Sequence, residues 1–262
     1  MTDAYALGDS GERLAVVARF FDAEMRAFIR DAAPAHPDLA LDLGCGPGYT
    51  TRLLHEVTGA AATVGVDVSE HFLRLAAVDV PPALRFVQHD LAAGPPPVDP
   101  ADVVFCHLLL SHLPDPAQAL QSWATLLAPG GMLLVDEVEA IHTDDPVLVE
   151  YLALVETAIV SRGGALYVGP QLAAMDAPDG LRVRSSRAVP HPAAVADAAA
   201  MFGLTFRTLR DDPAVQAAAS PSELAALADA LDDRTRLDGQ PSVVWSMRQI
   251  VYEPSDRRMS HS

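Results

Sequence analysis

Over residues 10–31, Leu14, Val17, Ala18, Phe21, Met25, Phe28 and Ile29 recur three or four positions apart, with arginines and acids between them. This spacing predicts one amphipathic helix, ended by Pro34 and Pro37. Short apolar runs then alternate with helical stretches. Strands are predicted over 39–43, 63–68, 84–88, 102–106 and 132–138, and helices over 49–57, 70–78 and 116–127. Strands alternating with helices imply a parallel sheet covered on both faces. After Ile141 the pattern changes to helices over 146–161 and 170–175 and strands over 181–189 and 243–252, with an Ala-rich helical insert, 191–237, between these strands. The tail from Glu253 is polar. No linker divides the chain, so 1–262 reads as one domain: an N-terminal helical segment (1–38), an alternating core (39–141) and helical additions (142–180 and 190–241).

Composition removes several kinds of chemistry. All 18 basic residues are Arg against 35 acids, a net charge of −17, and Lys and Asn are absent. A P-loop lysine, a Schiff-base lysine and N-glycosylation are therefore excluded. The 45 alanines point to coding bias as much as to function. The acid surplus argues against a nucleic-acid partner. Cys45 and Cys106 are too few for a disulfide scaffold or thiolate metal site. With no leader-like N-terminus and no apolar run of membrane length, a soluble cytoplasmic protein without a membrane partner is expected.

The strongest local signal is LALDLGCGPGYTT, residues 39–51, where an apolar strand ends in Asp42 and glycines follow at 44, 46 and 48. Glycines permit a sharp turn and close approach of the backbone to a ligand, and the next helix points its free N–H groups at the same place. A dinucleotide fingerprint would put its third glycine one residue later, where Tyr49 stands. DLGCGPG instead resembles the first motif of the class I S-adenosylmethionine-dependent methyltransferases. VGVDVS, FVQHDLAAG, ADVVFCHLLLSHLPDP and LLAPGGMLLVDE follow in that family's order, so the resemblance spans about residues 39–137.

The resemblance implies a doubly wound, Rossmann-like fold with a seven-stranded, mostly parallel sheet, and S-adenosylmethionine as cofactor with S-adenosylhomocysteine as product. It implies that Asp42, Gly44, Cys45, Gly46 and Gly48 bind the cofactor, Asp42 either directly or by ordering the glycine loop, and that Asp67, followed by Val68, binds the ribose. Asp90 and the Leu91 amide would read the adenine, with His107 near the adenosine. The segment AYALGDSGERL resembles a lid found in many bacterial small-molecule methyltransferases, in which Tyr5 touches the methionine portion or the acceptor. Arg13 and Arg19 on the following helix are within reach of the cofactor carboxylate, but the expectation for either is an exposed arginine facing water.

Methyl transfer from an activated donor needs mainly alignment and exclusion of water, with a base only for a protonated acceptor. Base candidates lie where ligands bind in open α/β sheets, just beyond the strand ends: His107 first, then His142 and Glu139. No metal site is expected, and Asp144-Asp145 reads as a helix cap before Pro146. The expected acceptor is a small organic molecule of secondary metabolism, with a hydroxyl or carboxylate oxygen favoured over nitrogen or carbon, and the protein a monomer or homodimer. The net charge favours a neutral or cationic acceptor; an anionic one would need local arginines, such as Arg182, Arg184 and Arg187. The alternatives are a nicotinamide oxidoreductase and a cofactor-binding regulatory protein without catalysis.

Overall fold

The computed structural model describes residues 11–237 and 242–255. Its strands are β1 (Leu39–Leu43), β2 (Ala62–Asp67), β3 (Leu84–Gln88), β4 (Ala101–His107), β5 (Leu127–Thr143), β6 (Leu181–Ala193) and β7 (Val243–Pro254). They form one sheet in the order β3-β2-β1-β4-β5-β7-β6. β1 to β5 pair in parallel, and β7 runs antiparallel to both β5 and β6. The chain winds outward in opposite directions from β1 and β4, and the crevice at their carboxyl ends is where such sheets bind ligands.

Alternation along the strands feeds two cores. Ala40, Val103, Phe105 and Leu134 face one of them. Leu41, Val64, Val104 and Leu133 face the other, which is closed by Trp123 of α5 (Pro116–Ala124) and Leu172 of α7 (Gly169–Ala174). The first core is covered by α3 (Tyr49–Thr58), by the N-terminal helices and by the helical additions described below. Strands buried on both sides read as continuous apolar runs, and this made β1, β2 and β4 recognisable in the sequence.

The long N-terminal helix is two helices, α1 (Glu12–Phe20) and α2 (Asp22–Ala32), divided at Phe21. Asp22 and Glu24 start the second, where acids complement the helix dipole. The helix over 116–127 ends at Ala124, because Leu127 already pairs with Ala101 in the sheet. β5 to β7 are longer than their apolar runs, since Ala140–Thr143 continue an antiparallel ladder with Val243–Ser246.

The additions are helical. α6 (Pro146–Ser161) is capped by Asp145, and the insert folds as α8 (Val195–Leu209), α9 (Pro213–Ala218) and α10 (Pro221–Arg234). Each of α6, α9 and α10 starts with an Asp or Ser cap followed by proline, a strong start signal. Asp145 also accepts a hydrogen bond from Arg234 Nε at 2.8 Å, tying the start of α6 to the end of α10. Tyr151 of α6 stacks on Phe202 of α8 with ring centroids 4.2 Å apart. Among the described residues, no helix is long and apolar enough to cross a membrane.

Candidate active site

The glycine loop is anchored from below. Asp42, at the end of β1, is buried, and its Oδ2 accepts hydrogen bonds from the Thr50 and Thr51 hydroxyls at 2.6 and 2.7 Å. Burial pushes its carboxyl up to about 6 against these two bonds. Asp42 therefore joins β1 to the first turn of α3 and does not reach the cavity described below. Gly44, Gly46 and Gly48 all have positive φ, at 75°, 50° and 82°. A Cβ on Gly44 would stand 2.9 Å from Leu109, and one on Gly48 2.9 Å from Arg52 and Phe86. Arg52 locks the loop from behind, donating to the carbonyls of Gly48, Ala76 and Val78. Cys45 is buried, and burial pushes its thiol well up, as it does for Cys106, so both are inert.

Asp67 sits at the end of β2 with one oxygen on each side of the loop. Its Oδ2 accepts from Gly46 N and its Oδ1 from Ser69 N, both at 2.8 Å. Ser69, not Asp67, caps α4 (Glu70–Ala76). Asp90 turns the chain after β3, accepting from Ala92 N at 3.0 Å, and the Leu91 side chain is buried in the second core.

These elements surround one end of a cavity of about 550 Å³. Gly44, Gly46, Asp67, Val68, Phe72 and Ala92 line that end. Leu14 and Arg13 of α1 and Phe21 roof it, and Leu14 comes within van der Waals reach of Gly46. Leu109, Ser111 and His112, around a 3-10 turn at Leu110–His112, form the middle wall. Beyond it the lining is Tyr151, Leu152 and Val155 of α6, Met201 and Phe202 of α8, and Trp245 of β7. Burial drives the His112 imidazole down to about 4, and the charges of Arg13 and Arg162 add to the effect. The 3-10 turn hangs from Glu137, whose Oε1 accepts from Leu109 N and Leu110 N at 2.7 and 2.6 Å.

The three base candidates fare differently. His107 is buried, with Nδ1 2.9 Å from Asp136 Oδ2, and its ring meets that of Phe21, which lines the cavity, in a T-shaped contact with centroids 5.4 Å apart. Its Nε2 has no hydrogen-bond partner. Glu139 and His142 are corrected: neither reaches the cavity. A register shift in β5 between Val138 and Ala140 inserts one residue against β7, so Ile141 takes the cavity side that unbroken alternation would give to His142. His142 is exposed, and Glu139 pairs with Arg248 through both oxygens, at 2.8 and 2.5 Å.

The expected arginine patch is corrected as well. Arg182 and Arg184 pair with Glu253, and Arg187 with Asp31, on the exposed edge strand. Arg13 and Arg162 line the cavity instead, and Arg19 is exposed. Arg52, Tyr151 and Arg162 carry no motif signal, because their roles depend on contacts remote in sequence. Tyr5 lies outside the described residues.

Residues 40–131 match the family model described as a methyltransferase domain. Trans-aconitate 2-methyltransferase of Azoarcus sp. is 41% identical over 95 residues, covering 36% of this chain and 37% of that one. The enzyme of the same name from Rhizobium meliloti is 33% identical over 156 residues, 58% of each chain. The chain thus spans less than two thirds of the length of these curated relatives. Coclaurine N-methyltransferase bound to N-methylheliamine and SAH has the same fold, with a TM-score of 0.55 at 13% identity over 88% of this chain and 72% of that one. Residues 40–131 thus form a methyltransferase domain, within a chain whose fold is that of the class I S-adenosylmethionine-dependent methyltransferases.

Proposed function

We propose that the protein transfers the methyl group of S-adenosylmethionine to a carboxylate oxygen of a small organic acid. The observation that carries this reading is one continuous cavity, which begins at Gly44, Gly46 and Asp67 and continues into an apolar chamber between α6 and α8. Such a shape holds donor and acceptor end to end, away from water.

The residues at the first end fit the cofactor. The glycines leave a cradle that side chains would fill, and the Asp67 carboxylate beside it is the right group to accept from ribose hydroxyls. Val68, Phe72 and Ala92 offer apolar surface to the adenine, and Arg13 on the α1 lid faces the methionyl carboxylate. The cofactor supplies a methyl group already activated by its sulfonium.

The acceptor atom follows from which titratable groups line the cavity. Among the described residues they are Arg13, Asp67, His112, Tyr151 and Arg162. A His112 held down at about 4 is a poor base for a hydroxyl, and two arginines favour an anion. A carboxylate is already ionised near neutral pH and needs no base. The names of the curated relatives, trans-aconitate 2-methyltransferases, agree with an acid as acceptor. We place the activity in a soluble cytoplasmic protein of secondary metabolism, acting as a monomer or homodimer.

The test has two parts. Calorimetry should show micromolar-range binding of S-adenosylhomocysteine and none of NAD; the opposite result would establish the oxidoreductase alternative. Label carried from methyl-labelled S-adenosylmethionine onto an acid should be released as methanol by mild alkali. Base-stable label would exclude a carboxylate ester, and cofactor binding without transfer to any acid would favour the regulatory alternative.

A further inference from the structure

We infer that the acceptor is an acid with a single carboxylate and an apolar body, and that Arg162 is the residue that selects it. The inference rests on the methyl-transfer reading above. Of the two arginines lining the cavity among the described residues, Arg13 belongs to the cofactor end, because α1 lies over the glycine loop with Leu14 against Gly46. Arg162 stands at the middle wall, where the apolar chamber begins. It closes α6, and Gly164, two residues on, packs so tightly against Ser111 that a Cβ there would overlap the Ser111 carbonyl. This close approach brings Arg162 to the wall carrying His112.

The guanidinium is held in place. Arg162 Nη2 pairs with Oδ2 of Asp212, while Oδ1 of Asp212 caps α9 through Ala214 N at 2.8 Å. Asp212 is buried and fixed by the helix it caps, so Arg162 presents a positioned charge and not a roaming one. Past it, the chamber is Leu152, Val155, Met201, Phe202 and Trp245, with Thr205 already donating to the Met201 carbonyl. A second carboxylate would be desolvated there without a cation, at a cost of several kcal/mol.

In the transfer, the acceptor carboxylate oxygen forms the new bond to the methyl carbon while the carbon–sulfur bond breaks and its electron pair stays on sulfur. No proton has to move. The ester formed has lost the charge that Arg162 recognises, so the same contact that admits the acid favours release of the product.

The experiment titrates the protein loaded with S-adenosylhomocysteine with octanoate, hydrocinnamate, octanol and citrate in a calorimeter. Octanoate and hydrocinnamate should bind at least about tenfold more tightly than octanol or citrate. Arg162→Gln should weaken binding of the two acids by about 10- to 100-fold with the affinity for S-adenosylhomocysteine unchanged. Arg162→Lys, which keeps the charge and the partner Asp212, should retain part of the acid affinity. Equal binding of acids by wild type and Arg162→Gln, citrate binding as well as the monoacids, or no monoacid binding at millimolar concentration would each overturn the inference. Failure of the wild type to bind S-adenosylhomocysteine would instead overturn the methyl-transfer reading on which it rests.

Discussion

Glu137 offers a sharp test of how the cavity wall is held. Its carboxyl is fully buried, two backbone N–H groups converge on Oε1, and Oε2 has no hydrogen-bond partner. Burial outweighs the two hydrogen bonds and pushes the group from 4.5 up to about 7. The native state therefore holds this proton more tightly than the unfolded chain. The associated stability is fully present below pH 4.5 and is lost as pH rises through about 7. At 1.36 kcal/mol per unit, the loss across that window is about 3 kcal/mol. Glu137→Gln keeps an oxygen for Leu109 N and Leu110 N but cannot ionise. Urea unfolding of both proteins from pH 4.5 to 8 should show the variant gaining on the wild type by about 3 kcal/mol as pH rises. Asp42 is raised in the same direction but is present in both proteins, so its contribution cancels in the difference. Two parallel stability curves would refute the reasoning and show that Glu137 is already ionised, with its charge compensated.

Three further substitutions probe the site. Asp67→Ala should lower affinity for S-adenosylhomocysteine by about 100-fold in calorimetry, through the loss of charge-assisted ribose contacts; unchanged affinity would leave Asp67 only as the anchor of Gly46 and Ser69. Gly44→Ala combines a φ of 75° with a Cβ 2.9 Å from Leu109, and should cost about 1–3 kcal/mol in denaturant unfolding and weaken cofactor binding. His107→Ala leaves Asp136 buried without its imidazole, so stability should fall by about 2–4 kcal/mol while kcat stays within about threefold. A kcat loss of about 100-fold at unchanged KM would restore His107 as a base.

The sheet was legible because its central strands are buried on both faces and its glycine loop must satisfy positive φ at fixed spacing. β1 and β3 were placed to the residue, and so was α6, whose Asp-Pro start and apolar face are local signals. Local rules failed where a long-range partner decided the outcome. One extra residue in β5 moved His142 away from the cavity, and only the pairing with β7 reveals it. The break at Phe21 follows from packing, for its ring meets His107, His191 and Trp245 from three other strands. Arg162 stood in the sequence as an ordinary helix-end arginine until α9, fifty residues on, supplied Asp212.

The pairing of β6 with β7 has a consequence for how this chain can change. Ala193 lies opposite Val243, and Ser242 N donates to the Ala193 carbonyl, so the insert leaves and re-enters the sheet at neighbouring positions. Topologically, everything between those residues is the loop of one hairpin. It can be lengthened, shortened or exchanged without altering strand order or the glycine loop. The insert supplies Met201, Phe202 and Thr205 to the cavity and Asp212 to Arg162. Substrate choice is thus carried on a detachable cassette, and a chimaera bearing another protein's insert would keep its donor site while inheriting a new appetite.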